Sequence, residues 1–407
     1  MSCSPAYSPR FVLSLSLAQL ITWGSVFYTF ALLVGPLEKE LGMSRAESSL
    51  AFSLALLTEG LLAWPVGRWI QRGFERRVMT IGSVVVGLGL LWHSQIHSPL
   101  AFYAVWIFLG AGLAATLYSP VFAVVTQRFP NDFRRAIITI TFLGGLASTV
   151  FIPLTAWLID ALGWRLALLC LAALQFLVCV PLHARTLRSP APEARHAHHP
   201  NAHAPMSPRT LQQHLKSAPF LLIGLFTVVM MAVTAALPAH MVSLLQESGL
   251  SAFWVILVPA SIGVLQVLGR VLLFLFEHRI DLHRSNRWIA ALIPAGLLVL
   301  LAAPWLGSAQ TAVVLVFVVL FGMGNGMLTI VKGTAIAQYV DREQVAALNG
   351  ALGLPTALAR AAAPWGLGLL WSPTGGYTSG LWLLAGLGVV GVVALTLAQR
   401  QSLHQAR

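Results

Sequence analysis

Charged residues are scarce in this chain, and acidic residues are the scarcest. Only 9% of its 407 residues are Asp, Glu, Lys or Arg, and only 13 are acidic. A soluble globular domain carries about 25% charged residues, because its surface must face water. A chain of this length with so few charges cannot coat itself with polar surface, so the sequence excludes a water-soluble globule.

Cysteine and nucleic-acid signals are also weak. Of three cysteines, Cys3 stands near the start, whereas Cys170 and Cys179 lie inside one apolar run, so we expect packing roles and no disulfide framework. The net charge of +12 would suit nucleic acid only if the basic residues formed one patch. They are instead spread over separate segments, so we expect no nucleic-acid partner.

Long apolar runs are what the chain has in abundance, with 57% hydrophobic residues and a mean hydropathy of +0.79. A membrane-spanning helix needs about 20 apolar residues, and open strand edges cannot face lipid. The first run is too long for a cleavable signal peptide, and "GPLEKELG" follows it. We predict an all-α integral membrane protein with twelve transmembrane helices, near residues 11–35, 49–67, 78–93, 100–126, 136–159, 165–183, 219–242, 252–276, 288–305, 310–338, 344–371 and 377–399.

The runs form two sets of six around a polar segment. Residues 184–216 are rich in Pro, Ala, His and Arg and lack an apolar face, which is typical of a flexible linker. We therefore predict an N-terminal six-helix bundle over 1–183, a linker over 184–216, and a pseudo-symmetric six-helix bundle over 217–407. Such internal duplication occurs in many transporters.

Basic residues are distributed unequally between alternate connections. Cytoplasmic loops are enriched in Lys and Arg. One set of connections carries sixteen basic residues, in segments 67–77, 127–135, 184–216 and 270–287. The opposite set carries three, namely Lys39, Arg45 and Arg165. We predict that the first set, the linker and both termini face the cytoplasm, in a multi-pass plasma-membrane (inner-membrane) protein.

One basic connection has a recognisable pattern. "GRWIQRGFERRVM" (67–79) resembles the loop between helices two and three of the major facilitator superfamily, whose pattern is Gly-x-Leu-Ala-Asp-Arg-x-Gly-Arg-Arg. The matching positions are Gly67, Arg72, Arg76 and Arg77. Gln71 stands where that family has an acid, and Phe74 where it has the inner glycine. The resemblance implies a conformational latch between two halves, with its strength reduced by the missing acid.

Three further stretches extend the resemblance over nearly the whole chain. "RFPNDFRRA" (128–136) resembles the loop after helix four, and "GGLASTVFIPLTAWLIDALGWR" (144–165) resembles helix five running into helix six. "GYTSG" (376–380) stands where helix twelve would begin. Within the superfamily, the chain is most similar to the branch of monocarboxylate and oxalate–formate carriers.

Three ionisable residues lie well inside the runs: Glu59, Lys332 and Arg360. A charge at the bilayer centre costs about 3 kcal/mol, so each suggests a functional site. Lys332 either snorkels to the inner surface or binds an anion in a central cavity. Glu59 and Arg360 either neutralise one another as an ion pair or take part in transport, and the two readings are compatible.

Four polar or aromatic residues on the expected cavity helices complete the candidate binding site: Trp23, Tyr28, Tyr118 and Asn325. For each of them, core packing remains an alternative to contact with a substrate. Aligning the two halves places "GAGLAATLYSPVFAVV", from Gly110, over "GMGNGMLTIVKGTAIA", from Gly322. That alignment sets Lys332 at the position of Pro120.

The sequence contains few features that are typical of an enzyme or of a metal-binding protein. "HAHHPNAH" (196–203) contains imidazoles but lies in a linker without fixed geometry, so we expect no metal. The glycine-rich stretches do not end in Gly-Lys-Ser/Thr, so we expect no phosphate loop and no ATP. Without a nucleophile–base grouping, we predict no enzyme activity and no cofactor.

The residues together predict a secondary active transporter working by alternating access. The excess of intramembrane cations favours a small organic anion, with a proton or an exchanged anion as a possible coupling partner, carried by a monomer. One alternative is proton-coupled efflux of a lipophilic or cationic compound, with Glu59 titrating. Another is a membrane sensor that has the same fold and does not transport.

The charge asymmetry can be tested with single cysteines at Ser207 and Ser248 in a cysteine-free background. We expect a membrane-impermeant thiol reagent to label position 248 in intact cells and to reach position 207 only after lysis. Labelling of position 207 from outside would contradict the predicted orientation.

Overall fold

A computed structural model of the chain describes residues 7–188, 213–276, 279, 281–341 and 344–405. This described part contains helices and no β-strand, only an isolated bridge between Ser372 and Gly376. The predicted all-α fold class is confirmed. The histidine-rich stretch 196–203 and most of the predicted linker lie outside the described residues.

Twelve long helices follow one another in the described part of the chain. The first six are α1 (Pro9–Leu41), α2 (Arg45–Trp69), α3 (Glu75–His93), α4 (Pro99–Arg128), α5 (Phe133–Leu162) and α6 (Trp164–Thr186). The other six are α7 (Ala218–Glu247), α8 (Ala252–Phe276), α9 (Leu282–Ala302), α10 (Gln310–Tyr339), α11 (Val345–Leu369) and α12 (Thr378–Gln405).

Most of these helices are long and apolar enough to cross a membrane. Nine continuous stretches of the described chain meet that requirement, and two of them hold a pair of helices each, α2 with α3 and α9 with α10. The helix α11 lies outside the nine. It carries two prolines and Arg360, which lower its apolar character.

The helix ends follow ordinary capping chemistry. Ser44 begins α2 in a capping box with Glu47, whose carboxylate accepts the Ser44 N–H at 2.7 Å. Ser98 caps α4 and Ser217 caps α7, and a proline occupies the first turn of each helix. Gly42, at φ 64°, ends α1 in the left-handed conformation that glycine adopts without strain.

The predicted loop 67–77 is largely helical, so its predicted extent is wrong. The helix α2 continues to Trp69, a π-helical turn covers Ile70–Phe74, and α3 begins at Glu75. Only Gly73 leaves the helical region, at φ 84°. A side chain at position 73 would be strained by this positive φ, so the glycine that the turn requires is Gly73. Phe74 is not in that conformation.

Four helices of the first half are interrupted: α1, α4, α5 at Leu146, and α6 by a π-helical turn over Gln175–Cys179. The helix α1 contains a π-helical turn over Trp23–Tyr28. The helix α4 breaks at Leu117, which has an extended backbone at ψ −164°. The break frees the Thr116 carbonyl, which accepts a hydrogen bond from the Gln19 side-chain amide of α1. A buried polar side chain thus replaces the missing helical bond, as the hydrocarbon core requires.

The described chain divides into two compact units. The first contains the described residues up to 188 together with Pro238–Ser243 and Ala252–Gly263, and the second contains the remainder. Part of α7 and part of α8 therefore belong to the first unit, and the rest of both helices belongs to the second. The predicted boundaries at 183 and 217 stay predictions.

Each unit has its own tightly packed interior. In the first, Phe30 lies between Phe52 and Trp106, with ring centroids 4.6 and 4.8 Å away. In the second, Gly326 of α10 lies against the Gln266 backbone of α8 without room for a Cβ atom. Close backbone approach through glycine is how membrane helices gain packing contacts.

The same tryptophan–carboxylate contact occurs once in each unit. Trp164 Nε1 donates to Glu40 at 3.1 Å, and Trp371 Nε1 donates to Glu247 at 3.0 and 3.1 Å. Each pair is separated by 124 residues in the sequence. In the first unit, the contact joins the last turn of α1 to the start of α6. In the second unit, it joins the last turn of α7 to the segment that precedes α12.

Replacing either tryptophan by phenylalanine tests the energy of this contact. Trp164→Phe and Trp371→Phe should each lower the free energy of unfolding by about 1 kcal/mol, because the ring remains while the hydrogen bond is lost. In the double variant, the decrease in the free energy of unfolding should be roughly the sum of the two single decreases, since the two contacts share no residue. Thermal unfolding of the purified protein measures both.

Trp382→Phe is the matched control, because Trp382 lies 53% exposed on α12. Its unfolding temperature should equal that of the unmodified protein. An equal decrease in unfolding temperature in all three single variants would mean that the smaller ring, and not the lost hydrogen bond, causes the loss of stability.

Candidate functional site

The candidate binding residues are divided between the two units. The first unit contains Trp23, Tyr28, Glu59 and Tyr118, and the second contains Asn325, Lys332 and Arg360. All seven side chains are half-buried. The geometry is described for each unit separately.

The predicted aromatic residues of the first unit meet around α1. Trp23 and Tyr118 have ring centroids 5.2 Å apart. Phe27 contacts both Trp23, at 4.8 Å, and Tyr28, at 5.4 Å. Tyr118 also stacks on Phe122 at 5.3 Å. The structure therefore joins all three predicted aromatic residues into one cluster.

Irregular backbone positions this aromatic cluster. Trp23 is the first residue of the π-helical turn of α1, and Tyr118 directly follows the break at Leu117 in α4. Isolated π-helical turns are frequent at functional sites. The indole N–H of Trp23 is buried and has no hydrogen-bond partner among the described residues, so it can donate to a ligand or a water.

A band of buried amides and hydroxyls lies next to the aromatic cluster. Gln175 of α6 donates to Ser25 at 2.9 Å and to Thr22 at 3.4 Å, both on α1. In the described part of the chain, the side-chain oxygens of Gln19 and Gln175 have no partner. Sequence analysis missed both glutamines, although a glutamine inside an apolar run is the signal that could have found them.

Glu59 is the one acidic residue deep inside the first unit's apolar runs. It is the fifteenth of the 25 residues of α2, so neither end of the helix is close. Its predicted partner Arg360 belongs to the second unit, and the pairing of the two stays a prediction.

Two cations of the second unit lie within electrostatic range of one another. Lys332 of α10 interacts electrostatically with Arg360, the sixteenth of the 25 residues of α11. Asn325, Thr329 and Lys332 are spaced by four and three residues and share one face of α10. Across the described ranges, Lys332 forms no ion pair with a carboxylate.

A third cation lies inside this unit and was assigned to a loop. Arg270 was counted with the cytoplasmic segment 270–287, but α8 continues to Phe276. Its guanidinium Nε donates to the Gly326 carbonyl of α10 at 3.2 Å, next to Asn325. The predicted start of that loop is therefore wrong. The run near 252–276 already contained Arg270, which was the available signal.

The predicted latch residues lie at the α2–α3 junction. Gly67 is in the last turn of α2, whereas Arg72, Arg76 and Arg77 are exposed. Arg76 Nε donates to the Ala184 carbonyl at 2.9 Å. These contacts lie within the first unit, so a latch role stays a prediction.

Position 71 holds glutamine where the family pattern has an acidic residue, but an acidic residue, Glu75, follows four positions later. Glu75 pairs with Arg128, at the end of α4, at 2.9 Å, and the two side chains are only 4% and 9% exposed. The Arg128 guanidinium also lies over the Phe11 ring, 5.0 Å from its centroid. The sequence pattern did not reveal this pair, because Glu75 falls outside the family's acidic position.

Metal-binding side chains are not clustered in the part of the chain that the structure describes. No group of three or more His, Cys, Asp or Glu side chains lies close enough there to hold an ion. The histidine-rich stretch 196–203 is outside that part.

Several solved transporter structures have the same fold. A bacterial homologue of the human lysosomal transporter Spinster, in an inward-facing and unoccupied conformation, aligns at TM-score 0.72 with 17% identity, over 98% of this chain and 99% of that one. The nucleoside transporter NupG aligns at 0.71 with 16% identity, over 95% and 98%. The peptide transporter POT, in complex with alafosfalin, aligns at 0.74 with 13% identity, over 98% and 96%.

At these identities the structures show the fold alone. A search of curated proteins finds no significant match. The family model described as Major Facilitator Superfamily matches residues 15–364, which is most of the chain. The protein is thus a membrane transporter by fold and not an enzyme, and it belongs to the Major Facilitator Superfamily.

Proposed function

We propose that the protein is a secondary transporter that carries a small organic anion by alternating access. The observation that supports this substrate class is the approach of Lys332 and Arg360 inside the second unit. Like charges that interact in a medium of low dielectric constant repel one another strongly. An anion bound between them would convert that repulsion into attraction.

The sequence offers little internal compensation for these cations. Besides Arg284, Arg287 and Arg400 nearer their ends, the helices α8 to α12 contain Arg270, Lys332 and Arg360 and no Asp or Glu. Glu59 of α2 is the acid that we propose neutralises Arg360 when no substrate is bound. One acid leaves the intramembrane charge positive, which favours an anionic substrate over a cationic one.

The donor groups suit a carboxylate. The Arg360 guanidinium offers a planar fork of N–H donors, and the Lys332 ammonium is a compact charge that binds a second oxygen. Asn325 lies on the same face of α10 as Lys332 and can donate from its amide. A mono- or dicarboxylate therefore fits best, in line with the resemblance to monocarboxylate and oxalate–formate carriers.

The first unit offers a separate candidate surface for an organic substrate. Trp23, Tyr28 and Tyr118 form a half-buried aromatic surface, and the Trp23 indole N–H is an available donor. A flat apolar or hydroxylated part of an organic acid matches that surface. The loop residues Gly67, Arg72, Arg76 and Arg77 would hold one conformation as a latch.

The remaining assignments complete the proposal. We place the transporter in the plasma membrane as a monomer, with both termini and the linker in the cytoplasm. Coupling is to a proton or to an exchanged anion, without ATP and without a cofactor.

A second function is favoured by the aromatic cluster and Glu59. Aromatic rings attract cations through their faces, and Glu59 is the single acid well inside the apolar runs. Proton-coupled efflux of a lipophilic or cationic compound, with Glu59 as the titrating group, is therefore the alternative. A sensor that binds without transporting is the alternative of another class.

Counterflow in proteoliposomes distinguishes these functions. Vesicles loaded with an unlabelled mono- or dicarboxylate should accumulate the same labelled acid from outside. Accumulation of a labelled lipophilic cation, driven only by a pH gradient, would favour the efflux alternative. Saturable binding of an acid without any exchange would indicate the sensor.

Substitution of the two cations tests the proposed anion site. Arg360→Ala should reduce anion exchange at least tenfold and also destabilise the fold, because loss of one member of a buried pair typically costs about 3–5 kcal/mol. Arg360→Lys keeps the charge but loses the fork, so anion affinity should fall more than stability does. Exchange rates and thermal unfolding are measured in parallel.

Arg284→Ala is the control for the loss of a positive charge, since Arg284 is exposed on α9. It should exchange the anion at the unmodified rate. If Lys332→Ala and Arg360→Lys also retain full exchange, the anion does not bind at these cations.

Glu59→Gln separates a neutralising role from a proton-carrying role. If Glu59 only neutralises Arg360, anion affinity in a binding assay should rise or hold, while turnover slows because the empty transporter is charged. If Glu59 carries the proton, counterflow should persist while transport driven by a pH gradient disappears. The second result would support the efflux alternative.

A further inference from the structure

Arginines and aromatic residues alternate on the exposed surface of the α2–α3 junction. We call this surface the arginine–aromatic strip, and its members are Trp64, Arg68, Trp69, Arg72, Phe74 and Arg77. All six side chains are exposed, with Trp64 at 69% and Trp69 at 48%. Aromatic side chains of this size, left uncovered at the end of a membrane helix, are typical of the lipid–water interface.

Two arginines of the strip lie over aromatic rings. The Arg68 guanidinium lies 4.8 Å from the centre of the Trp64 ring, and that of Arg77 lies 5.8 Å from the Phe74 ring. A stacked guanidinium uses its flat face for the ring and keeps its in-plane N–H groups for an anion. The rings therefore orient the arginines without occupying their donors.

The nearest acid does not neutralise the strip. Glu75 is the only acidic residue between positions 60 and 131. Its carboxylate is buried and pairs with Arg128 at 2.9 Å, on the inner side of the junction. The exposed surface keeps a net positive charge for this reason.

We propose that the arginine–aromatic strip binds the headgroup of an anionic phospholipid. The in-plane N–H groups of Arg68 and Arg72 would take the phosphodiester oxygens, and Trp64 and Trp69 would lie along the glycerol and upper acyl chain. Guanidinium–phosphate bonds are bidentate and strong, and basic clusters beside a membrane helix attract anionic lipid.

The position of Trp64 favours a lipid over a soluble anion. Trp64 lies on α2 five residues before its last residue, Trp69, and follows an apolar segment, 50–63, whose one charged residue is Glu59. A ligand held by both Trp64 and Arg68 must offer an apolar chain and an anionic group about one helical turn apart. A phospholipid has that arrangement, whereas free phosphate has only the second part.

Lipid binding can be measured on the detergent-purified full chain by native mass spectrometry. Dioleoylphosphatidylglycerol should bind with higher affinity than dioleoylphosphatidylcholine. Arg68→Ala should weaken binding of the anionic lipid about fivefold, as expected for one arginine at a membrane surface, and leave the zwitterionic lipid unchanged. Arg68→Lys keeps the charge, so its affinity for the anionic lipid should lie between that of Arg68→Ala and that of the unmodified chain.

Arg400→Ala is the matched control, because Arg400 is exposed near the end of α12 with no tryptophan beside it in the sequence. It should change phosphatidylglycerol affinity less than twofold. Equal binding of both lipids, or an unchanged affinity in Arg68→Ala, would overturn the proposal. Displacement of the lipid by millimolar inorganic phosphate would also overturn it, since the site would then recognise a soluble anion.

Discussion

The absence of water in the hydrocarbon core is the constraint on which the rest of this structure depends. Every backbone N–H and C=O inside the membrane must find a partner in the protein. A regular helix satisfies most of these groups with its own hydrogen bonds. Where α4 breaks at Leu117, the freed Thr116 carbonyl is bonded by Gln19 of α1. Gln19, Thr116 and the aromatic cluster therefore lie together where α1 and α4 are irregular.

The same constraint explains the distribution of charge. Acidic and basic side chains occur in compensated pairs at the helix ends, such as Arg45 with Glu38 at 2.7 Å and Arg128 with Glu75 at 2.9 Å. Inside the second unit the pattern changes, because Lys332 and Arg360 interact as like charges. The repulsion between two like charges in a medium of low dielectric constant works against stability. The anionic substrate that we propose would offset this repulsion.

The sequence predicts the fold class, the succession of helices and the charged residues of the candidate site, since apolar length and isolated charges are visible in one dimension. It does not predict Gln19 or Gln175, because a neutral amide gains significance only from its burial. It assigns Arg270 to a loop although the apolar run 252–276 ends where α8 ends, because the loop 270–287 is delimited by its basic residues. It also misplaces the glycine of the α2–α3 junction, because a positive φ at Gly73 is a property of the backbone and not of the pattern.

The π-helical turn in α1 has a consequence for how the length of that helix can vary. Residues 23–28 hold one residue more than an α-helical turn would, and successive α-helical residues are rotated by about 100°. Deleting a single residue there would restore a regular helix and rotate everything on one side of it by that angle. Gln19 would then turn away from the Thr116 carbonyl of α4. The number of residues from Gln19 to Tyr28 is therefore fixed by this internal register, so relatives with the same contact should show no insertion or deletion within that segment.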